Sequence, residues 1–263
     1  MAVPKVIFID LDNTLLYKGK VVKSAIPALK LAKDSGVLLF VATGRHKREI
    51  DIVPHIADIG FDGFVTLNGA ICIVGDKVIY KKPMEKESVA AIIKYLEKNP
   101  FYCLFNSEDM VFVNMRNEIA ENFQLSLGLE IPPVLDPQKA LDMDIYQLVP
   151  ADEASGNGLE FLRDLPNVSV TSWAKNCYDV GAEGINKWTG ILQVINHLGI
   201  KPGEVAAIGD GENDIEMLRE AGFSVVMGNG LDRVKKLADF ITDDVDKNGM
   251  VNAVNYLLKE GIV

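Results

Sequence analysis

The sequence predicts an α/β fold, a parallel sheet covered on both faces and interrupted by an α+β insert. Three observations lead there. Near-continuous apolar runs alternate with helical stretches toward both ends of the chain, and such runs are strands buried on both faces. In the middle, some strand-like runs succeed one another with no helix between them, as antiparallel strands do. The 263 residues, 48% hydrophobic and 24% charged, suffice for one large domain or two modest ones with a sizeable core.

The elements follow in order. VIFID (6–10) is the first strand. SAIPALKLAKDSG is a helix with Ser24 as its N-cap, apolar Ile26, Leu29 and Ala32 at helical spacing, and Gly36 past its end. VLLFVATG (37–44) is the second strand, REIDIVPHIADIG a helix despite Pro54, and FDGFVTLNG the third strand. ICIVGDKVIY alternates around Gly75-Asp76, a two-residue hairpin signal. After KKPM come helix EKESVAAIIKYLEK, strand MVFVNM, helix EIAENFQLSLG, strand DIYQLVP and helix GNGLEFLRDL, then the adjacent strands NVSVTSW and NCYDVGA. The final part returns to alternation: helix KWTGILQVINHLG, strand VAAIGD, helix NDIEMLREAG, strand FSVVMG, helix LDRVKKLADF, short strand FIT and helix GMVNAVNYLLKEG. The insert is placed at residues 83–182, between core segments 1–82 and 183–263.

Composition narrows the function. No apolar run approaches the ~20 residues that span a bilayer, and MAVPKVIFID lacks a signal-peptide layout because its apolar run ends at once in acids. Cys72, Cys103 and Cys177 are dispersed and share no metal-ligand spacing, so they read as reduced core thiols of a cytoplasmic protein. A formal net charge of −10 disfavours nucleic acid and anionic membranes as partners. A small anionic substrate remains compatible if fixed cations and a metal sit where it binds.

In open α/β sheets, ligands bind beyond the carboxyl ends of the strands. The first strand ends in Asp10-Leu11-Asp12-Asn13-Thr14, the second in Thr43-Gly44-Arg45, and VAAIGD in Asp210, followed by Gly211-Glu212-Asn213-Asp214. Lys187 opens the helix of the returning half. Each has an ordinary structural use, since Asp and Thr favour turns and caps and a lone lysine is usually solvated. Together they converge on one sheet edge, where three buried acids are costly unless a cation offsets them. Phosphoryl transfer uses this set. One carboxylate attacks phosphorus to form an acyl phosphate. Mg²⁺ is held by a few carboxylates with phosphate oxygens and water. A threonine and a lysine hold the remaining phosphoryl oxygens. A second carboxylate protonates the leaving oxygen and then deprotonates water.

DLDNT, ATGR, the Lys187 of GINKW, and GDGENDIEM resemble, in order, the four motifs of the haloacid dehalogenase (HAD) superfamily of phosphotransferases. The insert between the second and third motifs, with TLNGA ahead of it, resembles the Cof-type sugar-phosphatase branch, subclass IIB. The resemblance runs through the whole chain. It implies a Rossmann-like, doubly wound core, a mobile α+β cap, and a Mg²⁺-dependent phosphomonoesterase acting on a small phosphorylated metabolite, with hexose or pentose phosphates as the first expectation. It further implies Asp10 as nucleophile and Asp12 as general acid/base, with Thr43, Gly44, Lys187 and Asn213 at the phosphoryl group. Asp10, the Asp12 backbone carbonyl and Asp210 would ligate Mg²⁺, with Asp214 supporting them. Arg45, following the strand-end threonine, reads equally as a substrate contact or a surface ion pair, and Asn68 as a further substrate contact. Two residues depart from the pattern: Asn13 stands where Gly is usual, and Asn186 where Ser or Thr commonly precedes the lysine. Asn tolerates left-handed backbone better than most residues, so the chemistry survives both. A phosphosugar mutase and a non-catalytic phosphosugar-binding protein are the alternatives, and a monomer or small homo-oligomer is expected.

DVDKNGMVNAVN (244–255) imitates half of an EF-hand loop, but Asn255 stands where the bidentate Glu is required. His46, His55 and His197 show no ligand spacing and read as solvated or capping residues.

Overall fold

The computed structural model describes residues 5–151, 160–174 and 177–262. The chain folds as two compact units, Met1–Tyr80 with Asn186–Val263, and Lys81–Ile185.

The chain enters the first unit through β1 (Val6–Ile9), all of it buried. A small hairpin, β2 (Leu16–Tyr17) and β3 (Lys20–Val21), follows at once. Helix α1 (Ala25–Asp34) carries Pro27 in its first turn, where a missing N–H costs nothing. Next come β4 (Leu38–Ala42) and α2 (Lys47–Asp51). The helix expected over REIDIVPHIADIG stops there, because Pro54 cannot continue it and His55 turns left-handed at φ 68°; a 3-10 turn at Ala57–Ile59 replaces the rest. Strands β5 (Gly63–Thr66), β6 (Ile71–Val74) and β7 (Lys77–Lys81) complete this half, the last two joined at Gly75-Asp76.

The second unit opens with α3 (Lys86–Lys98), which buries Val89, Ile92, Ile93 and Leu96. Strand β8 (Tyr102–Ser107), which the sequence pattern did not predict, is buried throughout. It is followed by β9 (Val111–Val113), α4 (Glu118–Ser126), β10 (Ile145–Ala151), β11 (Val168–Ala174) and β12 (Cys177–Ala182). The five strands form an antiparallel sheet in the order β11-β12-β10-β8-β9. Its core sets α3 against Cys103, Phe105, Phe112, Leu148 and Val180. Of the expected helix GNGLEFLRDL, residues 156–159 lie outside the described residues, and Glu160–Asp164 form a 3-10 turn.

The chain returns through α5 (Lys187–Leu198), β13 (Val205–Gly209), α6 (Ile215–Glu220), β14 (Phe223–Val226), α7 (Asp232–Lys235), β15 (Phe240–Ile241) and α8 (Gly249–Lys259). Helix α7 is four residues long, not the ten-residue span of LDRVKKLADF. The first unit's sheet runs β15-β14-β13-β1-β4-β5-β6-β7. It is parallel from β15 to β5 and antiparallel at β5/β6. Alternation along β1 divides the core: Ile7 and Ile9 pack with α1 and α8 on one face, Val6 and Phe8 with α5 and α6 on the other. Each fully buried Ile or Leu contributes roughly 1.5–3 kcal/mol. Among the described residues, no helix is long and apolar enough to cross a membrane.

Candidate active site

Strand order reverses at β1, which has β4 on one side and β13 on the other. Ile9 pairs in register with both Val41 and Ile208. The residues just past these strands therefore share one sheet edge, the usual place for a ligand in such a fold. Asp10 follows β1, Thr43 follows β4 and Asp210 follows β13.

Lys187 reaches this edge from the first turn of α5. Asn186 caps that helix: its side chain accepts from Thr189 N at 2.9 Å, and Thr189 Oγ1 accepts from Asn186 N at 3.0 Å. Asn thus does the work of the usual Ser or Thr. Lys187 is 0% exposed, and its Nζ donates to Asp10 Oδ1 and Asp214 Oδ1, each at 2.6 Å. Asp214 is equally buried, and its Oδ2 accepts from the N–H groups of Asp210 and Gly211 at 2.9 Å. Gly209 makes room for it, since a Cβ there would lie 2.6 Å from the Asp214 carboxylate. Thr14 Oγ1 donates to Asp210 Oδ1 at 3.0 Å and so steadies the third acid.

Burial pushes the Asp10 carboxyl well above its ordinary range; the Lys187 charge opposes this, while Asp214 and Asp210 add to it. Burial likewise raises Asp210 to about 7, helped by Asp214 and opposed by the Thr14 bond. Burial works against the Lys187 cation, but Asp10 and Asp214 outweigh it and hold its pKa above the usual lysine value. Three carboxylates thus face one ammonium.

One oxygen from each of Asp10, Asp210 and Asp214 lies within 4.8 Å of the others, the sole such group of metal-capable side chains among the described residues. Hard oxygen donors with charge in excess of their lysine fit a divalent cation. Both Asp214 oxygens already serve three donors, so Asp10 and Asp210 are the better placed to ligate.

The other expected residues take distinct positions. Asp12 lies off the acid cluster, with both oxygens held by Arg45: Nε to Oδ2 at 2.8 Å and Nη2 to Oδ1 at 2.7 Å. Of the two uses expected for Arg45, a substrate contact or a surface ion pair, the structure shows an ion pair, but with the arginine buried. Thr43 is buried and its Oγ1 accepts from Arg45 N at 3.2 Å, with Gly44 between them half-buried. Asn68 accepts from Asn213 Nδ2 at 3.0 Å, which joins two of the expected contacts to each other. Asn13 adopts φ 58°, the left-handed conformation that excuses its departure from Gly. Sequence reasoning missed the Thr14–Asp210 bond and the Arg45–Asp12 pair. The first carried a signal, a hydroxyl two residues beyond Asp12; the second had none, because the partners lie 33 residues apart. In the EF-hand imitation, Asp244 pairs with Lys247, and Asn252 donates to Asp243 just before the segment, each at 2.6 Å.

A family model for haloacid dehalogenase-like hydrolases matches residues 7–254. The chain belongs to this family. It is 33% identical to the HAD subclass IIB sugar phosphatase BT4131, covering 98% of this chain and 100% of that structure at a TM-score of 0.88. BT1666 from Bacteroides thetaiotaomicron, a HAD phosphatase, is 31% identical, with 99% and 96% covered and a TM-score of 0.86. Among curated proteins it is 27% identical to 5-amino-6-(5-phospho-D-ribitylamino)uracil phosphatase YcsE of Bacillus subtilis, with 96% of this chain and 95% of that one aligned. A Streptococcus pyogenes protein named for phosphatase and peptidyl-prolyl cis-trans isomerase activities is 30% identical over 96% of this chain, and the chain spans only 54% of its length. The chain is thus a Cof-type member of the HAD family, and the relatives named here are phosphatases.

Proposed function

We propose that the chain is a Mg²⁺-dependent phosphomonoesterase that hydrolyses small sugar phosphates through an aspartyl phosphate on Asp10. The observation that carries this reading is the buried Asp10–Lys187–Asp214 chain, with Asp210 beside it, at the edge where the sheet order reverses. Lys187 fixes the Asp10 carboxylate for attack on phosphorus and offsets charge on the transferring group. Thr43, Gly44 and Asn213 bind the phosphoryl oxygens, with Asn213 steadied by Asn68. Asp12 gives a proton to the leaving oxygen and later takes one from the attacking water. Asp10, Asp210 and the Asp12 carbonyl would hold Mg²⁺, which would neutralise charge on the transferring group when bound. The insert acts as the cap and selects the substrate; the sugar phosphatase relative supports a sugar phosphate. The buried thiols of Cys72 and Cys103 suit a reducing, cytoplasmic setting.

Steady-state release of phosphate from a panel of hexose and pentose phosphates, with and without Mg²⁺, tests the proposal. Turnover of at least one member that disappears with EDTA is expected. A folded protein that hydrolyses none of them overturns it, and transfer between sugar positions without free phosphate replaces it with a mutase.

A further inference from the structure

Asp12 sits on an irregular turn just beyond β1, followed by left-handed Asn13, and its side chain is 33% exposed. The Arg45 side chain, by contrast, is 5% exposed and meets Asp12 with two parallel bonds of 2.8 and 2.7 Å. That fork fixes the plane of the carboxylate as well as its distance, which a single-point lysine contact does not. Arg45 is itself anchored. Its N–H donates to Thr43 Oγ1 at 3.2 Å, and its carbonyl accepts from Leu67 N at 3.2 Å. Glu49 adds its charge beside the guanidinium and is tied to His46 N at 3.0 Å. A chain of bonded groups thus runs from the end of β4 to Asp12.

We infer that Arg45 is the positioning residue for Asp12, holding its carboxylate where proton exchange with the leaving group occurs. The inference rests on the phosphatase reading above and deepens it. In the first half-reaction the Asp10 oxygen bonds to phosphorus, the bond from phosphorus to the leaving oxygen breaks, and that oxygen takes the Asp12 proton. In the second, a water oxygen bonds to phosphorus, its proton passes to Asp12, and the Asp10–phosphorus bond breaks to release phosphate. Both transfers need Asp12 within hydrogen-bond reach of the reacting oxygen.

Leaving-group dependence separates this role from the alternatives. An aryl oxide departs without a proton, whereas a sugar alkoxide needs one. The value of kcat/KM includes no step after phosphoryl transfer to Asp10, so it isolates the first proton transfer. Arg45→Ala and Arg45→Lys are compared with wild type on p-nitrophenyl phosphate and on a hexose phosphate turned over by wild type, with Tm recorded for each protein. General acid catalysis contributes 10²–10⁴-fold, so kcat/KM for the sugar phosphate should fall at least about 30-fold further than for the aryl phosphate, and Lys should not restore it. In an Asp12→Ala background, Arg45→Ala should add no comparable loss on the sugar phosphate. Equal losses on both substrates, or additive losses in the double variant, overturn the inference and leave Arg45 as a phosphoryl contact or a support of the fold. Should Arg45→Ala not fold, the Arg45→Lys comparison decides alone. Wild type that hydrolyses neither substrate removes the phosphatase reading and this inference together, a result distinct from equal losses in an active enzyme.

Discussion

Lys187→Met keeps the length and bulk of the side chain and deletes its charge. In the wild type that charge lies 2.6 Å from both Asp10 and Asp214, with no solvent exposure. Removing one partner of a buried pair costs about 3–5 kcal/mol. Two features place the expected loss near the lower end. Asp214 keeps the two N–H donors of Asp210 and Gly211. Asp10, already held above its ordinary range by burial, loses the cation that opposed the shift and can take up a proton instead. A loss of about 3 kcal/mol lowers Tm by about 6–12 °C for a unit of this size. Scanning calorimetry in metal-free buffer at pH 7.5 measures it. The deficit should shrink at pH 5, because protonating Asp10 removes the charge whose partner was deleted. A Tm within about 2 °C of wild type at pH 7.5, equivalent to under ~1 kcal/mol, would show that the cluster is not held together by this lysine.

Asp10→Asn should abolish phosphate release yet raise Tm in metal-free buffer, since the variant cannot bear the charge that burial opposes; residual turnover above a hundredth of wild type would remove Asp10 as nucleophile. The raised pKa values of Asp10 and Asp210 predict a pH-dependent response to metal. Groups raised in the folded state stabilise it at low pH, and that contribution is lost as pH rises from the ordinary carboxylate value near 3.8 through about 7 for Asp210. Mg²⁺ should therefore raise Tm more at pH 7.5 than at pH 5, and equal shifts would point to binding elsewhere. Gly190→Ala places a Cβ 2.6 Å from Val65 Cγ1 and 2.7 Å from the Gly69 backbone, so α5 must shift. A stability loss of about 1–3 kcal/mol and a fall in kcat from the displaced Lys187 are expected; calorimetry and turnover both at wild-type values would contradict this.

The strands that carry the site were legible because VIFI, LLFVA and VAAIG are buried on both faces and so are continuously apolar. Helices α5 and α8 were legible from periodicity. Local signals failed where tertiary context decides. Pro54 ends α2 early, and the β2/β3 hairpin has two-residue strands too short to show any period. Strand β8 was missed because YCLFNS is buried on both faces without a long apolar run. At the site, residue types and strand-end positions pointed to Asp10, Thr43, Lys187 and Asp210. Which acid bonds which cation was not legible, because each pairing joins residues far apart in the chain: 177 positions for Lys187–Asp10 and 33 for Arg45–Asp12.

Those two pairings also give the neighbouring aspartates different surroundings, which suit the two roles proposed for them. Asp10 is 6% exposed and held by one point of a shared ammonium, an arrangement that tolerates a change in the carboxylate's own bonding, as its proposed role as nucleophile requires. Asp12 is a third exposed and gripped by both oxygens, which suits a group that must keep one orientation while a proton comes and goes. Leu11 between them is fully buried and anchors the turn through carbonyl bonds to the N–H groups of Thr14, Leu15 and Leu16. The separation of the two proposed roles thus follows from one buried leucine and two different cations. Exchanging the acids' environments, rather than their identities, is what would abolish it.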